Sequence, residues 1–112
     1  MTDQEIFNKV AAHLLRQGKR AVERGKCVYR TSEGLSCAVG CLIAPEAYSA
    51  LLEEQGAASS DVRAALRASG IEPTYLTMGL LLTLQDLHDK IKPHLWPAEL
   101  NLIAKGHDLE TH

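Results

Sequence analysis

The sequence predicts a mainly α-helical single domain, a bundle of about five helices with a short β-hairpin near residues 26–37. Aliphatic side chains recur at helical spacing in several segments, each bounded by a capping residue, a proline or a glycine. Only 4% of the residues are aromatic, so the core must be aliphatic, which suits packed helices. The 112 residues form one domain, and a balanced composition with 46% apolar residues argues against a disordered chain.

The predicted helices begin and end at recognisable residues. Thr2 followed by Glu5 is a capping box, so the first helix should begin there, and Gly25 is the expected stop. Serine, threonine or proline opens the later helical segments and glycine or proline ends them, which predicts helical structure at 37–43, 45–56, 59–70, 75–91 and 97–106. The last few residues are polar and are expected to be frayed.

Residues 26–37 do not have a helical pattern. Residues 26–30 favour extended structure, 31–34 form a turn signal, and 35–37 are expected to pair back as the second strand. A two-stranded ribbon is marginal alone, so packing or a ligand must hold it.

The segment 75–91 is predicted to be the central helix. A helical wheel places five aliphatic residues on one face, namely Leu76, Leu80, Leu84, Leu87 and Ile91. His88 falls inside this apolar region, with Gln85 and Asp89 at its edge. A buried imidazole needs hydrogen-bond partners, so His88 is either a satisfied core histidine or a ligand or acid–base group. Gln85 and Asp89 are candidate partner- or ligand-binding residues.

Three cysteines surround the predicted hairpin. Cys37 and Cys41 are four residues apart, Cys27 lies across the hairpin, and His88 would complete a Cys3His zinc set. The spacing lacks the short C-x2-C pair of common zinc modules, and free cysteine often packs as a small hydrophobe, so core packing is the competing interpretation. A third interpretation is a nucleophilic thiol of Cys37 or Cys41 beside His88.

Tyr29 and Arg30 are the predicted partner contacts. The guanidinium of Arg30 presents a planar fork that suits carboxylate or phosphate, and basic residues precede it in the chain. This pattern predicts a docking surface for a protein partner or an acidic ligand. The alternative is a solvated helix face whose charges favour the helix end.

Composition narrows the class of function. A net charge of −2 argues against a nucleic-acid binder, and no apolar run is long enough to cross a bilayer. The polar start, with no export signal, and the odd number of cysteines lead us to expect a cytoplasmic protein with free thiols or metal ligands.

Three strings of residues carry a resemblance: Cys27-Val28-Tyr29-Arg30, Cys37-Ala38-Val39-Gly40-Cys41-Leu42-Ile43, and Leu84-Gln85 with His88-Asp89. Together they resemble a group of small uncharacterised proteins from bacteria and their phages, over roughly residues 6–103. The resemblance implies a cytoplasmic accessory protein, phage- or mobile-element-encoded, and carries over no catalytic residue. The sequence therefore favours a binding or regulatory protein over a structural zinc domain or a small Cys/His enzyme.

Overall fold

Four α-helices and one two-stranded hairpin form the fold in the computed structural model, which describes residues 1–111. The helices are α1 (Asp3–Gln17), α2 (Ser60–Ala68), α3 (Tyr75–Lys90) and α4 (Trp96–Gly106), and the strands are β1 (Val22–Glu23) and β2 (Lys26–Cys27). The predicted class, mainly α with one small antiparallel hairpin, is confirmed, although the helices number four instead of about five.

Helices α1, α3 and α4 pack against one another and enclose most of the core. Its fully buried large side chains include Leu14, Leu80, Leu84 and Trp96. Helix α2 lies against the 3₁₀ turn Pro45–Ala47 on another side of the domain. Within residues 1–111, no helix has both the length and the apolar character that a membrane crossing requires.

Helix α1 begins as predicted and ends early. The Thr2 hydroxyl accepts from the Glu5 N–H, and the Glu5 carboxylate accepts from the Thr2 N–H, which completes the capping box. The predicted end at Gly25 is wrong, because the helix ends at Gln17 and Gly18 adopts a left-handed conformation with φ of 68°. Gly18 donates to the Leu14 carbonyl, a glycine cap that satisfies one of the last carbonyls of the helix.

Helix α3 is central, as its apolar girth predicts. Leu80, Leu84, Leu87 and His88 are buried. The polar side of the helix, which carries Thr83, Asp86 and Lys90, is exposed. The prediction that Leu76 lies on the buried face is wrong, because Leu76 is 73% exposed while Thr77 and Met78 of the same turn are buried.

Two side chains close the C-terminal end of α3. The Arg20 guanidinium donates to the carbonyls of His88 and Ile91, at 3.0 and 2.8 Å. The Trp96 indole N–H lies 3.2 Å from the Leu87 carbonyl and 3.1 Å from that of Ile91. Helix termini leave carbonyls without intrahelical partners, and these contacts satisfy them inside the domain. Arg20, part of the predicted basic surface, is therefore used internally.

The segment 45–56 is not the helix that Pro45 predicts. It contains the 3₁₀ turns Pro45–Ala47 and Ala50–Leu52, separated by extended backbone at Tyr48 and Ser49. The Ser49 hydroxyl accepts from the Leu51 N–H and so begins the second turn. Glu53 then leaves the helical conformation, and its carboxylate bonds residues of another segment. Tertiary hydrogen bonds outweigh helix propensity here, and we call residues 53–57 the strap.

The hairpin is tighter than predicted and begins earlier in the chain. Val22 pairs with Cys27 and Glu23 with Lys26, across a two-residue loop of Arg24 and Gly25 that both have positive φ. Positive φ at both loop residues is the geometry of the tight turns that match strand twist. The predicted pairing of 26–30 with 35–37 is reduced to one antiparallel bridge, between Arg30 and Ser36.

The C-terminal residues are tied to the domain. Gln4 on α1 donates to the Glu110 carbonyl at 3.0 Å and accepts from the Glu110 N–H at 2.8 Å. The backbone N–H of Leu109 donates to the Ala104 carbonyl at 2.7 Å. The expected fraying is therefore not seen as far as Glu110, and the part of that prediction that concerns His112 lies outside the described residues.

Candidate binding cleft

Cys27, His88 and Asp89 form the candidate site. Cys27 ends strand β2, whereas His88 and Asp89 lie in the last turn of α3. The thiol sulfur, an imidazole nitrogen and a carboxylate oxygen all lie within 4.8 Å of one another. The hairpin therefore places its exposed cysteine beside the histidine that the sequence singled out.

His88 uses both of its ring nitrogens within the protein. The ring is fully buried and stacks against Trp96, with 6.0 Å between the centroids. Nε2 accepts from the backbone N–H of Ala21 at 2.9 Å, and Nδ1 lies 2.7 Å from the Asp89 carboxylate. Because Nε2 accepts, the proton sits on Nδ1 and is donated to Asp89. The imidazole is neutral and has no free lone pair.

Asp89 is the charged centre of the cluster. Its carboxylate accepts from the His88 ring and from the Gln85 amide at 2.9 Å. Burial raises the pKa of Asp89, but hydrogen bonds, first the one from the His88 ring and then the one from the Gln85 amide, outweigh it and leave the pKa below its ordinary value. The side chain is 32% exposed. Asp89 is therefore an ionised, half-buried carboxylate.

Gln85 connects the cluster to residues 37–41, which form a turn closed by the Cys41 N–H to Cys37 carbonyl hydrogen bond. Of the helical structure predicted at 37–43, only the 3₁₀ segment Gly40–Leu42 forms. The Gln85 amide oxygen accepts from the Val39 N–H at 3.0 Å, while its amide nitrogen donates to Asp89. Gln85, a predicted binding residue, lines the cleft and makes a positioning contact beside it.

The Cys27 thiol stays protonated at neutral pH. Burial raises its pKa, and the charge and hydrogen bond of Asp89 raise it further, whereas Arg20 opposes this weakly. A nucleophilic cysteine needs a lowered pKa and an adjacent base. Cys27 has neither, because the His88 ring is occupied and the nearby carboxylate disfavours a thiolate.

The other two cysteines lie outside this cluster. Cys37 is buried and its sulfur accepts from the Gly40 N–H at 3.2 Å, while the Cys41 thiol donates to the Ala38 carbonyl at 3.1 Å. Burial raises the pKa of each to about 12. The predicted four-ligand zinc set is not gathered at one point: only Cys27 and His88 of that set belong to the cluster.

Tyr29 and Arg30, the predicted partner contacts, face inward. The Tyr29 hydroxyl donates to the Gln55 carbonyl at 2.6 Å. The Arg30 guanidinium donates to the Ile43 carbonyl and lies over the Tyr48 ring, 4.8 Å from its centroid. These contacts hold the 43–55 region against the segment that follows β2, so both side chains have structural roles.

Glu53 is the residue that sequence reasoning missed. One of its carboxylate oxygens accepts from the Tyr29 N–H at 3.0 Å, and the other accepts from the Arg30 N–H at 3.3 Å and the Tyr48 hydroxyl at 2.6 Å. No motif marks this glutamate, because its partners lie up to 24 residues away. It joins the strap to the segment that carries Tyr29.

A cavity of about 280 Å³ lies among the hairpin, the strap and α3, and we call it the central cleft. Its lining comprises Cys27, Val28, Tyr29, Cys37, Glu53, Glu54, Gln55, Gly56, Ala57, Gln85 and Asp89. A larger open groove of about 880 Å³ shares four of these residues, namely Cys27, Val28, Glu53 and Glu54. The cleft thus has a polar floor at Asp89, partly apolar walls and a wide outer approach.

This arrangement can receive a ligand. It offers neither a histidine base nor a thiolate nucleophile, because the His88 ring has no free lone pair and the Cys27 thiol is not activated. The cleft instead offers an ionised carboxylate beside apolar side chains. Comparison of the chain with protein-family models, curated proteins and solved structures finds no match.

Proposed function

We propose that this protein is a small binding and regulatory accessory protein whose ligand, a group on a protein partner, enters the central cleft. One observation carries the proposal: an open cavity remains beside Asp89, while the His88 ring is fully hydrogen-bonded inside the domain. Binding sites are concave, with apolar walls and a few placed polar groups. The cleft has this character, although it is smaller than a typical drug site.

The thiols and the histidine support a non-enzymatic role. The pKa values of Cys27, Cys37 and Cys41 are all raised, so thiolate is scarce at neutral pH. The Ala21 N–H occupies the His88 nitrogen that would act as a base. An enzyme that used His88 as its base would first have to break this hydrogen bond.

A metal site is the second candidate, since Cys27, His88 and Asp89 bring three donor types within 4.8 Å. Coordination through Nδ1 would need that atom deprotonated and Nε2 protonated, which would set an Nε2–H against the Ala21 N–H. The hydrogen bond therefore opposes metal binding. We expect protein purified without added metal to contain well under one zinc per chain and to keep its melting temperature with a chelator. Stoichiometric zinc with chelator-induced unfolding would replace our proposal.

The cleft is tested with a pair of alanine substitutions. Ala57 is buried and lines the cleft, whereas its neighbour Ala58 is exposed. Ala57→Leu fills the cavity, and Ala58→Leu adds the same atoms outside it. We expect tagged wild type and Ala58→Leu to capture the same crosslinked partner and Ala57→Leu to lose it, with all three melting above the assay temperature. Equal capture by the three proteins would refute the proposal.

A further inference from the structure

We infer that the central cleft binds a cationic side-chain group of the partner, a lysine ammonium or an arginine guanidinium, with Asp89 as its counter-ion. The inference rests on the proposed function and adds the chemical class of the ligand. It comes from the charge of the cleft, the polarity of its walls and the internal use of Arg30.

Asp89 carries a charge that the protein does not neutralise. Its hydrogen-bond donors are two neutral groups, the His88 ring and the Gln85 amide. Within residues 1–111 no lysine or arginine nitrogen lies within 4.0 Å of this carboxylate, and the Lys and Arg ion pairs involve Glu54, Glu72 and Asp86 instead. Solvent screens this half-buried carboxylate less than an exposed one, so an incoming cation gains more here than at the surface.

The walls suit the stem of a long basic side chain. Val28, Tyr29, Cys37 and Ala57 supply the apolar part of the surface around the cavity that Asp89 lines. Lysine and arginine bury their methylene stems against apolar surface and keep the charged head at a polar point. The cleft offers both parts, walls for the stem and a carboxylate for the head.

No basic residue lines the cleft, and the other charges in its lining are the carboxylates of Glu53 and Glu54. Lys26 approaches from outside, with its ammonium 3.8 Å from Glu54 and mostly exposed to solvent. The sequence predicted an acidic ligand bound by Arg30, but the Arg30 guanidinium donates to the Ile43 carbonyl. An acidic ligand in the cleft would be repelled by these carboxylates. The charges of the cleft therefore favour a cation.

The test uses four small probes and two isosteric variants. n-Butylguanidinium, n-butylammonium, n-pentanol and butyrate are titrated into ¹⁵N-labelled protein, and amide shifts are followed at Val28, Ala57 and Gln85. Asp89→Asn removes the charge in the cleft. Asp86→Asn, on the same helix, removes an exposed charge paired with Lys90 and is the control.

We expect the two cations to shift the cleft amides and Asp89→Asn to weaken their binding at least about tenfold, which corresponds to loss of one charge-assisted hydrogen bond. Asp86→Asn should bind as wild type does, and added salt should weaken binding. If Asp89→Asn melts below the assay temperature, Ala57→Leu replaces it, because it blocks the cleft and keeps the carboxylate.

Equal or tighter binding of butyrate or pentanol would overturn the cationic assignment, as would no cation binding in wild type. So would equal losses in Asp89→Asn and Asp86→Asn, or unchanged cation binding in the cleft-filling variant. The proposed function has a separate readout. If Ala57→Leu abolishes partner capture but the cations do not bind wild type, the cationic assignment is refuted and the proposed function stands.

Discussion

The close approach of Gly40 to the Tyr29 backbone gives the sharpest stability prediction. A Cβ at Gly40 would lie 2.8 Å from the Tyr29 carbonyl carbon and closer still to the carbonyl oxygen. Both are backbone atoms, so the backbone itself would have to shift to make room. The same carbonyl accepts from the Cys37 N–H at 3.2 Å. Gly40→Ala must therefore separate the 37–41 turn from the segment around Tyr29 that follows β2.

The magnitude follows from the two contacts that move. Overpacking in a rigid site costs about 1–3 kcal/mol, and the weakened Cys37 to Tyr29 hydrogen bond costs about 1 kcal/mol more. For 112 residues, 1 kcal/mol corresponds to about 4 °C in the melting temperature. We therefore expect Gly40→Ala to lower the free energy of unfolding by about 2–4 kcal/mol and the melting temperature by about 8–16 °C.

Gly79 provides the matched control. It lies in α3, is exposed, and a Cβ there meets nothing within 4 Å. Alanine is the better helix former, so Gly79→Ala should raise the free energy of unfolding by about 0.5–1 kcal/mol. Thermal and urea denaturation followed by circular dichroism measure both. A Gly40→Ala protein as stable as wild type would show that the 37–41 turn does not depend on this contact.

Three further outcomes test the cluster. His88→Leu should lower the free energy of unfolding by about 2–4 kcal/mol, because it leaves the Ala21 N–H and one oxygen of Asp89 without a partner. The control is His94→Leu at an exposed position, which should change it by less than about 0.5 kcal/mol. Similar urea midpoints for the two variants would contradict this. At pH 7.4 Cys27 should react slowly with a disulfide reagent, at a rate that rises with pH. Cys37 and Cys41 should react only after denaturation. Fast labelling of all three thiols in the native protein would exclude the raised pKa values. The pKa of Asp89 is lower in the folded than in the unfolded state, so its ionisation stabilises the fold fully above about pH 4 and less as the pH falls below that. The difference in free energy of unfolding between wild type and Asp89→Asn should therefore shrink at acidic pH. A difference that stays constant from pH 7 to pH 3 would refute this.

Local signals predicted the helix starts well. Thr2, Ser59 and Thr74 each cap the helix that follows by accepting from an N–H in its first turn. Such contacts span three residues, so they are readable in the sequence. The requirement that His88 have a partner was also correct in kind, although nothing in the sequence pointed to the Ala21 N–H as that partner.

The rest depends on contacts between distant segments. The strap does not continue a helix because the Glu53 carboxylate bonds backbone around Tyr29, a contact with no local signature. A glycine with positive φ, such as Gly25, is favoured both after a helix and in a tight hairpin loop, so the sequence alone does not distinguish these two structures. The exposure of Leu76 likewise depends on which side of the first turn of α3 is covered, and a helical wheel does not contain this information.

The two-way hydrogen bonding between Gln4 and Glu110 brings the beginning and the end of the described chain side by side. A few flexible residues could therefore join positions 1 and 111 without disturbing the bundle, and the backbone could be opened instead at Gly34, an exposed turn residue. Such a rearranged chain would keep all three packed helices and the walls around Asp89. It would also let a reporter be inserted at the 31–34 turn rather than fused to either terminus.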